Sequence, residues 1–143
     1  HRIGSPTDAA RVEHDRPLEC ALCHADKSVA EIVGKMKAWY GKQFDEQALH
    51  ALYGDDLGVN ALEATLLRGK AHEQMAAAGA LGERGKRAQA RALLPLLESV
   101  YPLTRYYAKA ALERLEGRAM PVDVNGAPDD IARDAARWLG ASP

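Results

Sequence analysis

The chain is written in short helical phrases, each with a start signal, an apolar stripe and a stop. No stretch alternates apolar and polar residues as a half-buried strand must. In SVAEIVGKMKAWYG the residues Val29, Ile32, Val33, Met36, Trp39 and Tyr40 fall on one stripe, Ser28 and Glu31 have the spacing of a capping box, and Gly41 is the stop. FDEQALHALYG ends at Gly54, and NALEATLLRG pairs Asn60 with Glu63 at its start and ends at Gly69. AHEQMAAAGALGERG is helical by alanine content, with Gly79 and Gly82 weakening its second half. Two further runs, separated by ESVYP, fill Arg87 to Gly117. Pro95 is expected to kink the first or start a new one, and Pro102 to open the second, whose buried stripe is expected to be Leu103, Tyr107, Ala110, Ala111 and Leu115. After the connector GRAMPVDVNGAP, a last helix carries Ile131, Ala135, Trp138 and Leu139 on one side.

Helices this short are not stable alone, so they must bury their stripes against one another. The predicted fold is all-α, built of short antiparallel helical hairpins. At 143 residues the chain is one domain. Within it, residues 1–27 form an N-terminal arm, 28–117 a hairpin stack, and 118–143 the connector and C-terminal helix. Acids and bases nearly cancel, at a net charge of -1, and Lys and Arg are scattered among acids, which leaves nucleic acid without the basic face it needs. No apolar run is long enough to span a bilayer. Because the chain starts at His1 rather than methionine, it is expected to be a processed chain or a fragment whose export signal has gone.

The only two cysteines stand three residues apart with a histidine directly after the second, in Cys20-Ala21-Leu22-Cys23-His24. This is the C-x-x-C-H attachment signature of c-type haem. Two thiols on one helical turn can add to the two vinyl groups of one porphyrin edge, and the next residue offers its imidazole to the iron. Zinc would need four ligands, and there is no second cysteine pair or close histidine pair. A thioredoxin-type redox pair would follow a strand in a βαβ setting, which is missing. A disulfide across so small a loop gains little entropy. The expectation is one covalent haem c on Cys20 and Cys23, with His24 as the proximal iron ligand.

A wider set of residues matches a pattern. His1, Arg2, Ile3 and Pro6 precede Pro17, Cys20, Cys23 and His24; then come Asp26, Lys27 and Ser28 and a helix closing on Trp39, Tyr40 and Gly41. In this the first third of the chain resembles the C-terminal haem segment of periplasmic multihaem c-type cytochromes that carry helical repeats. Arg87 to Gly117 loosely resembles one HEAT-type repeat. The chain departs from that family in lacking upstream haem motifs, so the resemblance implies a piece of a longer chain or a relative reduced to one haem. It further implies electron transfer outside the cytoplasmic membrane, redox protein partners or other haem subunits, and a distal iron ligand at His1.

The sixth iron position decides what such a haem does. His1, His14, His50, His72, Met36, Met75 and Met120 could fill it. His1 is favoured by the resemblance, and the 22 residues between it and His24 are ample to cross a porphyrin. Met36 lies on an apolar stripe and is expected in the core. No Ser-His-Asp grouping, phosphate loop or acid pair marks an enzyme. The leading reading is electron transfer. Its rivals are a gas-binding or sensing haem with an open sixth position, and a docking module whose haem is one station of a larger complex.

Overall fold

The structure, a computed structural model, describes residues 5–140. Its helices are α1 (Ala9–Val12), α2 (Val29–Tyr40), α3 (Glu46–Tyr53), α4 (Ala61–Arg68), α5 (Ala71–Arg84), α6 (Pro102–Glu116) and α7 (Pro128–Gly140), with the 3-10 helices η1 (Glu19–Leu22) and η2 (Arg87–Glu98). The expected all-α class is what the chain adopts. Among the described residues the nearest thing to a sheet is one isolated bridge between Ser28 and Asn60. No described helix is long and apolar enough to cross a membrane.

Side-chain caps fix where several helices begin. The Ser28 hydroxyl accepts from the Glu31 N–H at 3.1 Å while the Glu31 carboxylate accepts from the Ser28 N–H at 2.8 Å, and Gly41 closes α2 in the left-handed region at φ 63°. Asp45 caps α3, with Phe44 and Leu49 buried at the positions of a hydrophobic staple. Asn60 caps α4 by accepting from Leu62 and Glu63, but Glu63 does not return the favour. Its carboxylate accepts instead from Gln89 on η2, at 3.0 Å.

The helices then stack with small residues at the closest approaches. A Cβ on Gly82 would lie 2.8 Å from the Ala111 Cα, Gly79 faces Tyr107, and Glu83 pairs with Arg114. Residue numbers rise together along both helices, so α5 and α6 run parallel. Between them η2 runs back, its first residue Arg87 pairing with Glu116 at the end of α6. α7 lies on η2, and α4 packs on both α5 and η2. Leu62, Leu81, Leu93, Leu97 and Leu112 form the centre of the shared core.

The structure refines four expectations. First, the helix expected at α5 forms, and it runs unbroken through Gly79 and Gly82, because bare backbone at these positions lets α6 approach. Second, the run before the turn is a 3-10 helix through Pro95 rather than a kinked α-helix. Its buried residues are Ala90, Leu93, Leu96 and Leu97, and Pro95 sits on its exposed side. Third, the buried face of α6 is Thr104, Arg105, Ala108, Ala111 and Leu112, with Leu103 and Tyr107 at the surface. The small side chains Ala108 and Ala111 are needed on that face, and Arg105 is buried because its guanidinium donates to the Val124 and Ser99 carbonyls. Fourth, the described part of the N-terminal arm packs against the rest of the protein. Val12, Leu18 and Ala21 belong to the common core, and Arg16 reaches the Leu52 carbonyl at 2.7 Å and Glu73 at 3.2 Å.

Candidate functional site

The thiols and the imidazole are placed by one turn. Leu18 and Ala21 are buried, and backbone bonds from Ala21 to Leu18 and from Cys23 and His24 to the Cys20 carbonyl wind Cys20–His24 into a single turn. With Ala21 facing the core, Cys20 is left half-buried, and Cys23 and His24 face outward. Both cysteines are free thiols. Burial pushes the Cys20 thiol up from its ordinary value, and the neighbouring Glu19 carboxylate adds to the rise.

The backbone just after His24 is held from two directions. Ala25 is buried, and its carbonyl accepts from the Asn60 amide at 2.8 Å and the Gln89 amide at 3.3 Å. Further along, the Ala61 N–H donates to Lys27, Val29 donates to Val59 and Ala30 donates to Leu57. The segment carrying the motif is therefore clamped to the start of α4 and to η2.

Between this segment and α2 lies a groove of about 400 Å³. Cys20 and His24 line it beside Ile32 and Met36, whose apolar side chains form its floor. Trp39 and Tyr40 form a further wall, and here the sequence expectation fails: both were placed on the buried stripe, yet they are 69% and 62% exposed. The stripe is intact, but its last turn extends past the protein core and borders the groove. Lys27, Glu31 and Lys35 complete the lining. Lys27 is paired with Glu31 at 3.3 Å and Asp26 at 3.6 Å, whereas the Lys35 ammonium sits 5.2 Å from the centre of the Trp39 ring.

A porphyrin needs thiols at one edge, an imidazole beside them and an apolar surface for the ring. Cys20, His24 and the uncovered aromatic wall share the groove, whereas Cys23 is exposed beside them and does not line it. Among the described residues no group of three or more His, Cys, Asp or Glu side chains converges as a metal cage, so the four-ligand arrangement of a zinc site is not assembled there.

Of the other iron-ligand candidates, His1 lies outside the described residues. Met36 is almost fully buried, as expected, but it also lines the groove. His14 is exposed, His50 bonds the Gly54 carbonyl through Nδ1 at 2.9 Å, and His72 borders a separate cleft of about 320 Å³ against Arg16 and Glu73. Met75 is half-buried and Met120 is in the core. The sequence reading did not find Asn60, Gln89 or Lys35. Asn60 and Gln89 act on the site across 35 and 64 positions of chain, and no local pattern announces that. Comparison with protein-family models, with curated proteins and with solved structures finds no match to this chain.

Proposed function

We propose that this chain carries electrons on one covalent c-type haem, attached through Cys20 and Cys23 with His24 as the proximal ligand. One observation carries the reading. The single turn bearing Cys20 and His24 opens onto an apolar groove whose wall, Trp39 and Tyr40, has no protein cover. Such a group, once bound, supplies one-electron chemistry at its iron. The chain's own residues do the rest. Ala25, held by Asn60 and Gln89, fixes the backbone that aims His24, and Ile32, Met36, Trp39 and Tyr40 exclude water from one side of the groove.

The resemblance of the first third to multihaem cytochromes supports a compartment outside the cytoplasmic membrane, with redox proteins or further haem subunits as partners. It also supports His1 as the sixth ligand, while Met36 has the support of lining the groove beside His24. Expression with a c-type haem maturation system tests the core of the proposal. The expected product gains the mass of one haem, keeps its colour through acid-acetone extraction, and loses covalent colour in Cys20→Ala with Cys23→Ala. Extractable colour in the parent chain would sink the reading. In the haem-loaded protein, a change to high-spin absorption in His1→Ala alone supports bis-histidine ligation, and the same change in Met36→Leu alone supports His/Met. A parent already high-spin favours the open, gas-binding site.

A further inference from the structure

We infer that Lys35 is the residue that pairs with a carboxylate of the haem. This rests on the proposed attachment at Cys20 and Cys23. A porphyrin tethered by its vinyl edge directs its two propionates to the opposite edge, where an apolar groove must provide a cation or leave them to water. Two cations line this groove, Lys27 and Lys35. Lys27 is close to the thiol end in sequence and is already engaged with Asp26 and Glu31. Lys35 stands four residues after Glu31, the spacing at which a Glu and a Lys normally pair on a helix. That pair does not form. Glu31 is occupied by the Ser28 N–H, in the cap that starts α2, and by Lys27, four residues before it. The Lys35 ammonium is left with an aromatic face, Trp39, as its neighbour inside the same groove. These two bonds thus leave one uncommitted cation against the apolar wall, where a bound carboxylate finds it.

A cation beside the propionate offsets negative charge near the iron and favours the ferrous state. The haem-loaded protein and its Lys35→Gln, Lys35→Arg and Lys37→Gln variants are compared by mass and by optical redox titration. Lys37 is exposed on the same helix but does not line the groove, so it controls for a general change of surface charge. Lys35→Gln is expected to lower the ferrous-to-ferric ratio at fixed potential by about threefold, or about 28 mV at about 59 mV per tenfold for one electron. Lys35→Arg and Lys37→Gln are expected to stay near the parent. An unmoved midpoint in Lys35→Gln, or an equal shift in Lys37→Gln, overturns the assignment while leaving haem attachment standing. A parent chain that gains no haem mass overturns both. A shift in Trp39 fluorescence of the haem-free Lys35→Gln variant, with no change of midpoint in the loaded one, reduces Lys35 to a partner of Trp39 and likewise overturns the assignment.

Discussion

Glu73 is a carboxylate inside the protein, 3% exposed, and its Oε2 accepts both the Lys70 N–H at 2.6 Å and the Arg16 guanidinium at 3.2 Å. Burial pushes its carboxyl up, but the Lys70 N–H and the Arg16 charge outweigh burial and hold it below the ordinary carboxylate range. A depressed value in the folded state means stability that is present above the unfolded value, about 4.3, and is lost as pH falls through the folded one. Urea midpoints measured from neutral pH down to about pH 3 should fall more steeply for the parent than for Glu73→Gln; parallel curves would show that the pair carries no such linkage. At neutral pH, Glu73→Ala strands the Arg16 guanidinium and is expected to cost about 3 kcal/mol. This pair ties the N-terminal segment to α5, and it was not legible in the sequence, because Arg16 and Glu73 are 57 positions apart. The closeness of Cys20 and His24 was legible for the opposite reason: they lie in one turn.

At the scale of elements, the glycines of α2 and α5 look alike in sequence and differ in what surrounds them. A Cβ at Gly34 meets nothing within 4 Å, whereas one at Gly82 lands 2.8 Å from the Ala111 Cα. Gly34→Ala should therefore stabilise by about 0.5–1 kcal/mol through helix propensity alone. Gly82→Ala makes the same propensity gain but drives α5 off α6, which costs about 1–3 kcal/mol and reverses the sign. Calorimetric midpoints that move the same way in both variants would contradict the close approach. The same distinction explains which elements the sequence disclosed. The starts of α2 and α4 depend on side chains within three residues of the cap and were readable, as was the buried face of α7. The face of α6 depends on what α5 will tolerate, so the large residues Leu103 and Tyr107 yielded to alanines. The 3-10 winding of η2 was not legible, because its buried residues Ala90, Leu93, Leu96 and Leu97 suit the spacing of either kind of helix.

For the whole molecule, the common core joins Val12, Leu18 and Ala21 to the leucines of α4, α5, η2 and α6, while α7 adds Ile131, Ala135 and Trp138. A core shared from end to end predicts one cooperative transition. Far-ultraviolet dichroism dominated by helix and the fluorescence of buried Trp138 should lose their signals at the same denaturant concentration, and separated midpoints would divide the molecule into independent parts. Only the all-α class follows from the repeated caps; the parallel placement of α5 and α6 comes from contacts between distant stretches of chain. The double hold on the Ala25 carbonyl has a bearing on speed as well as on stability. A carrier that must shift its iron ligand each time an electron arrives or leaves adds that rearrangement to its activation barrier. Here the carbonyl of the residue after His24 is fastened to Asn60 at the start of α4 and to Gln89 of η2, so under the proposed function the backbone beside the ligand would be held in one place through each transfer.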